Sequence, residues 1–262
     1  MPEGHVLHRL AGEQQELATS TLRVSSPQGR FADGAASLDG RVLEGVEAVG
    51  KHLLHRFEDR ALHTHLGMRG VWYRSAPPSP EPRPSMRVRL AAPDVAWDLM
   101  APITCEVLDP AGVAALRDRL GPDPLRDDAD PERFVSALIA DRRALGVTLL
   151  DQSVLAGAGN VFRTEALFAC GLHPARSSAT LAPEEAQALW DTLAGMMRRG
   201  VEDGRIITVD VPAGADRLDV PEEEARRVYK RERCADCGAD VVTFEQGGRT
   251  AYVCPVQQRG DS

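Results

Sequence analysis

The chain has 262 residues, with 31 Lys and Arg against 39 Asp and Glu, a formal net charge of −8 and 43% hydrophobic side chains. That apolar fraction supports a packed core and excludes general disorder, and the lack of any long apolar run excludes a transmembrane helix. An acidic total argues against a surface that attracts a polyanion everywhere, yet the acidity is local: residues 180–224 hold eleven acids and four bases, and residues 225–262 hold seven bases and five acids.

In chain order, residues 5–18 (HVLHRLAGEQQELA) place Val6, Leu10 and Leu17 near one face and predict a helix. Short apolar or alternating runs follow at 21–26, 41–49, 52–57, 61–66, 71–74, 86–91 and 95–99. Gly, Pro or charged turns separate them, and repeated strands at this spacing predict a β-sandwich. The Pro-rich stretch 75–85 reads as an exposed hairpin loop. Six of the seven histidines fall at positions 5, 8, 52, 55, 63 and 65 and read as surface and hairpin residues. After Pro122 the character becomes helical. Residues 131–141 open with Pro at a first helical position and space Phe134, Leu138 and Ile139 for a helix. Further helices are predicted over 145–156, 161–170 and 183–202, with 120–130 as the hinge and the tail from Cys234 as a small hairpin unit. The polar N-terminus has no signal-peptide pattern and the cysteines suggest no disulfide framework, so a cytoplasmic protein is expected.

Five motifs bear chemistry. Removal of Met1 before the small Pro2 would leave a secondary amine, and an N-terminal amine is partly neutral near pH 7. Such an amine can attack a sugar aldehyde carbon to give an iminium, an electron sink for elimination, with Glu3 beside it to exchange protons. By itself, Pro-Glu is also a common chain start. Lys51, in Gly50-Lys51-His52 between two strands, reads as a solvated edge charge. Met68, on the Gly-flanked turn after His65-Leu66-Gly67, suits a wedge between bases or a buried turn residue. Asn160, after Gly157-Ala158-Gly159, would open a helix whose N–H groups face an anion, or simply cap packed helices. Cys234, Cys237 and Cys254 have the spacing of a zinc knuckle pair, but Gln257 stands where a fourth sulfur is expected. Arg249 would sit near the tip of that hairpin, where a guanidinium can grip a phosphate. Upstream, Arg226, Arg227, Lys230, Arg231 and Arg233 form the densest basic cluster.

Together and in this order, these motifs resemble the formamidopyrimidine-DNA glycosylase/endonuclease VIII family, from Met1 to about Gln258. The resemblance implies an α+β architecture: an N-terminal β-sandwich over 1–120, a helix–two-turn–helix domain over 121–225 and a C-terminal zinc-finger-like β-hairpin over 226–262. It implies a bifunctional DNA glycosylase/AP lyase of base-excision repair acting on damaged DNA as a monomer, with no membrane partner. By the same resemblance, Pro2 is the Schiff-base nucleophile, Glu3 the proton donor, and Lys51 the β-elimination and phosphate residue. Asn160 and Arg249 clamp phosphates, with Arg249 assisting δ-elimination; Arg119 contacts DNA and Met68 is the wedge. Cys234, Cys237 and Cys254 hold a structural zinc that Gln257 puts in doubt.

Two features incline the reading to the endonuclease VIII branch, associated with oxidised pyrimidines. The strand Asp98-Leu99-Met100-Ala101-Pro102 lacks the Arg-Phe pair usual in the purine branch, and the loop 209–220 is short. The alternative is a non-catalytic damaged-DNA-binding protein of the same fold. In either case residues 180–224 are expected to face away from DNA.

Overall fold

The computed structural model describes residues 2–259, and its contacts divide the chain into two compact units. The first comprises the N-terminus through Glu3 and Leu7–Asp118; the second comprises Gly4–Val6 and the chain from Arg119 onward. Helix α1 (Gly4–Gln14) begins the fold and is followed by β1 (Arg23–Ser25), α2 (Ala32–Leu38), β2 (Leu43–Val49), β3 (His52–Phe57) and β4 (Arg60–His65). Then come β5 (Val71–Ser75), β6 (Met86–Ala91), β7 (Ala96–Met100), β8 (Thr104–Leu108) and α3 (Pro110–Asp118).

The strands form two antiparallel four-stranded sheets, ordered β1-β6-β7-β5 and β2-β3-β4-β8, which is the expected sandwich. Strand β6 shows why: Met86, Val88 and Leu90 are buried, and the residues between them are less so. Between the sheets, His55 of β3 meets Trp72 of β5 with ring centroids 5.4 Å apart. His55 is fully buried, and its Nε2 lies 2.6 Å from Oε1 of Gln14 on α1. Helix α1 buries Leu7, Ala11 and Gln14, whereas Val6 and Leu10 of the expected face are half-buried and Leu17, just beyond the helix, is fully buried as expected. The outer face of the second sheet is covered by α3, whose Leu116 packs with Leu54 and Ala61. Burying each such leucine stabilises by roughly 2 kcal/mol. Neither α2, β8 nor α3 was expected from the sequence; α3 is alanine-rich and buries only Leu116, so it has little periodic pattern to detect.

The second unit contains α4 (Pro131–Ala140), α5 (Leu145–Thr148), α6 (Asn160–Ala169), α7 (Pro183–Asp203) and the hairpin β9 (Val242–Gln246)–β10 (Arg249–Val253). Its core gathers Phe134, Leu138, Leu149, Phe162, Leu189 and Trp190. Asp130 caps α4 by accepting from Arg133 N at 3.0 Å, with Pro131 at the first turn. Two expectations change here. The helix expected over 145–156 ends at Thr148, because side chains take over the backbone groups: Asp151 accepts from Ser153 N, and Gln152 binds Leu150 O, Ala158 O and Gly157 N. The first part of the segment read as a hinge, 120–130, is packed, as Leu120 to Pro124 are buried, Gly121 N donates to Gln152 O and Ala156 N donates to Pro122 O, whereas 125–130 are half-buried or exposed. Among the described residues no helix is long and apolar enough to cross a membrane.

Candidate active site

The N-terminal motif is held from its C-terminal side. Gly4 N donates to Gly157 O at 2.8 Å, and a Cβ at position 4 would lie 2.9 Å from Gly157 Cα. Backbone meets backbone there, so only glycine follows Pro2-Glu3 without displacement. Next in line, His5 is buried edge-on to Phe162, centroids 5.2 Å apart. Burial, ahead of repulsion from charges such as Arg226, pushes its pKa down to about 4. An uncharged imidazole thus pins the start of α1 to α6 and α7, where it also packs beside Gly200. Glu3 is fully buried at the N-cap of α1, and Pro2 is half-buried. Met1 lies outside the described residues.

Lys51 occupies the two-residue turn between β2 and β3, closed by the Val49–His52 pair. Gly50 supplies the positive φ of 60° that such a turn requires. Lys51 is half-buried, and its ammonium lies close enough to His65 to help lower that imidazole's pKa, second to burial.

Met68 is not a buried turn residue: it is 69% exposed. Beside it stands a residue that the sequence reading missed, Ile103, 72% exposed. Ile103 N donates to His65 O at 3.0 Å, and a Cβ on Gly67 would approach the Ile103 side chain to 3.0 Å. The two apolar side chains therefore flank one turn. The signal for Ile103 was a lone apolar residue in the loop Ala101-Pro102-Ile103 between two strands.

In the second unit Asn160 reaches β10 one residue beyond Arg249. Asn160 Nδ2 donates to Thr250 O at 3.0 Å, and the buried Arg163 donates to the same carbonyl at 3.1 Å. Arg249, the residue before Thr250, is exposed at the start of β10. The turn behind it, Gly247-Gly248, has φ of 61° and 69°, the pair of positive values that a tight hairpin needs. Asn160 Oδ1 is buried without a hydrogen-bond partner among the described residues. Arg119 is exposed, just before the packed segment at Leu120.

A carboxylate outside the expected set organises this region. Glu165 of α6 is fully buried and accepts from Thr208 Oγ1 and from the backbone N–H groups of Arg227, Val228 and Tyr229. It thereby clasps the basic segment. Several of that segment's charges have partners: Arg226 with Glu222, Arg227 with Asp210 and Asp236, and Arg233 with Asp240.

Cys234, Cys237 and Cys254 form a cluster whose sulfurs lie within 4.8 Å of one another, a donor set suited to a metal. Burial pushes the Cys234 thiol up to about 11, whereas the Ala239 N–H holds exposed Cys237 below its ordinary value. Gln257 is exposed; its neighbour Gln258 is the buried one, accepting from Cys254 N and donating to Leu172 O.

Comparison with known proteins adds the following. The family models for the formamidopyrimidine-DNA glycosylase N-terminal domain and H2TH domain match residues 1–98 and 120–211. The chain is 41% identical over 268 residues to "Endonuclease 8 1" of Mycobacterium tuberculosis, covering 98% of this chain and 100% of that one. It is 32% identical to the formamidopyrimidine-DNA glycosylase of Streptococcus pneumoniae, covering 86% and 84% of the two chains. In fold it matches the Lactococcus lactis Fpg complex with DNA containing N7-benzyl-Fapy-dG, at TM-score 0.82 and 20% identity, over 99% of this chain and 100% of that one.

Proposed function

This chain belongs to the formamidopyrimidine-DNA glycosylase/endonuclease VIII family of DNA-repair enzymes, and from that premise we propose that it excises oxidised pyrimidines through Pro2 and cleaves the resulting abasic strand by β,δ-elimination. The observation that carries this reading is the backbone contact of Gly4 with Gly157, which ties the motif behind Pro2 to the glycine turn before Asn160.

In the proposed reaction the Pro2 nitrogen attacks the deoxyribose C1′, and the base departs with the glycosidic electron pair. Glu3 supplies a proton within the sugar–amine adduct, and the sugar ring opens to an iminium. Loss of a C2′ proton then expels the 3′ phosphate, and a second elimination expels the 5′ phosphate. Lys51 serves the first elimination and holds a phosphate; Arg249 assists the second. Asn160, Arg119 and Arg249 hold the strand by its phosphates, and Met68 fills the space of the rotated nucleotide, because a stacked base is unreachable. The acid-rich residues 180–224 face away from the DNA, and the protein acts as a monomer. Pyrimidine preference is supported by residues 98–102, which lack an Arg-Phe pair, and by the similarity to Endonuclease 8 1.

Cys234, Cys237 and Cys254 would hold a structural zinc through their three sulfurs. When bound, the ion would tie the hairpin's ends together and take no part in the reaction. Metal analysis of the purified protein is expected to find about one zinc per chain.

Borohydride reduction of a mixture with abasic duplex is expected to trap a covalent protein–DNA adduct that Pro2→Gly abolishes. Equal trapping in Pro2→Gly would overturn the assignment of Pro2.

A further inference from the structure

The chain crosses from β4 of one sheet to β5 of the other through Leu66-Gly67-Met68-Arg69-Gly70. Two glycines set this turn. Gly67 has a φ of 63°, and Gly70 N donates to Leu66 O at 2.9 Å. A Cβ at position 70 would lie 2.4 Å from that same carbonyl oxygen, so the closure leaves no room for a side chain. Gly67 N also lies 3.0 Å from His65 Nδ1, to which it donates. The two residues between the glycines, Met68 and Arg69, are thereby held side by side at the tip, and both are exposed.

Elsewhere in the first unit carboxylates take up exposed arginines: Arg41 pairs with Asp59, Arg74 with Glu16 and Arg117 with Glu47. Arg69 differs. Its side chain has no hydrogen bond or ion pair among the described residues, and its turn contains no acidic residue. A guanidinium, with five N–H donors in a planar fork and no acceptor, therefore stands uncommitted beside the wedge. When Met68 fills the space of a rotated nucleotide, the base left on the complementary strand has lost its partner, and its pairing edge faces the turn that displaced it. A fork of donors distinguishes the two purines that stand opposite pyrimidines. Adenine presents the acceptor N1 on its pairing edge and the acceptor N3 in the minor groove. Guanine puts N1–H in place of the first and adds its N2 amino group beside the second, so that donors face donors.

We propose that Arg69 reads the base opposite the lesion and sets the preference of the enzyme there, favouring adenine over guanine and hence lesions derived from thymine over those derived from cytosine. This rests on the wedge role proposed for Met68.

Duplexes with a tetrahydrofuran abasic analogue opposite dA or dG test the contact by binding alone. The native protein should bind the dA duplex roughly 5- to 10-fold more tightly, and Arg69→Leu should bring the two affinities within about twofold of each other. Arg69→Leu removes a side chain without polar partners in the fold, so its melting temperature should match the native one. Single-turnover excision of 5-hydroxyuracil by the native protein should follow the same order, faster opposite dA than opposite dG. Equal native affinities, or a preference that survives in Arg69→Leu, would overturn the assignment. So would equal losses opposite both purines with a salt slope lower by about one, the mark of a phosphate contact. Met68→Ala should weaken binding of both duplexes alike, and unchanged affinity would remove the wedge on which the proposal rests. An Arg69-dependent preference in binding, without excision of 5-hydroxyuracil, would remove the proposed substrate and leave the contact standing.

Discussion

Lys51 and Arg249 both sit at two-residue hairpin turns, but the two hairpins are held by different means. The β2–β3 turn belongs to a four-stranded sheet covered on one side by α3, so the ladder itself fixes its geometry. The β9–β10 hairpin has only two strands, and such a ribbon is marginal in water without outside support. Its support comes from α6 and its surroundings: Asn160 and Arg163 hold Thr250 O, and Gln246 Nε2 donates to Pro174 O at 3.0 Å. Glu165 clasps the segment leading into the finger. The first unit thus sets its turn lysine by local rules, and the second sets its arginine by docking.

The sharpest way to break this contrast is to remove the clasp. Glu165→Ala strips a buried carboxylate from three backbone N–H groups and one hydroxyl. The expected loss is about 3–5 kcal/mol, read as a lower denaturation midpoint at unchanged slope. Lys51→Ala, at a half-buried position of a turn that the ladder fixes, is expected to change stability by no more than about 1 kcal/mol. Similar losses in the two variants would show that the hairpins are supported alike.

That asymmetry also explains what was legible in the sequence. Gly50-Lys51 and the strands beside it follow from turn chemistry and alternation, both local signals, and β3 and β6 fall on the expected residues. The Gly-Ala-Gly-Asn turn and the hairpin were equally visible as segments. Their meeting at Thr250 was not, because a side-chain amide reaching a carbonyl 90 residues away leaves no periodic trace. Glu165 was hidden for the same reason, lying mid-helix as an ordinary charged residue. The histidines misled in the opposite direction. Their type suggested surface, yet His5, His55 and His63 are buried, each held by ring or hydrogen-bond partners that only the fold supplies.

Two of those histidines allow the units to be compared in acid. Burial holds His55 of the first unit at about 3 and, with nearby positive charge, His5 at about 4, both below the ordinary histidine value of 6.5. Below pH 6.5 the unfolded chain therefore binds a proton that the folded chain refuses. Stability is complete above that value and falls as pH drops toward 4. The expected loss is about 3 kcal/mol per histidine across this window. Fluorescence of variants retaining only Trp72 or only Trp190 follows the two units separately. His5→Gln is expected to flatten the pH dependence seen at Trp190 and leave that at Trp72 in place. An unchanged slope at Trp190 would mean that His5 is not held neutral in the folded state.

The smallest effect tests the docking itself. If Asn160 places Arg249 through the shared Thr250 carbonyl, their contributions to DNA affinity are not independent, because a displaced β10 carries the guanidinium with it. Asn160→Ala removes one hydrogen bond, with an expected stability change of about 1 kcal/mol. Arg249→Ala changes an exposed side chain, leaves stability in place and lowers the salt dependence of abasic-DNA binding by about one phosphate contact. In the double variant the affinity loss should fall short of the sum of the single losses by about 1 kcal/mol. Lys51→Ala combined with Arg249→Ala supplies the contrast: Lys51 stands on its own sheet-bound turn, so those losses should add. A strictly additive Asn160/Arg249 cycle would mean that Arg163 and the Gln246–Pro174 bond suffice to hold β10, and that Asn160 acts on the DNA by itself.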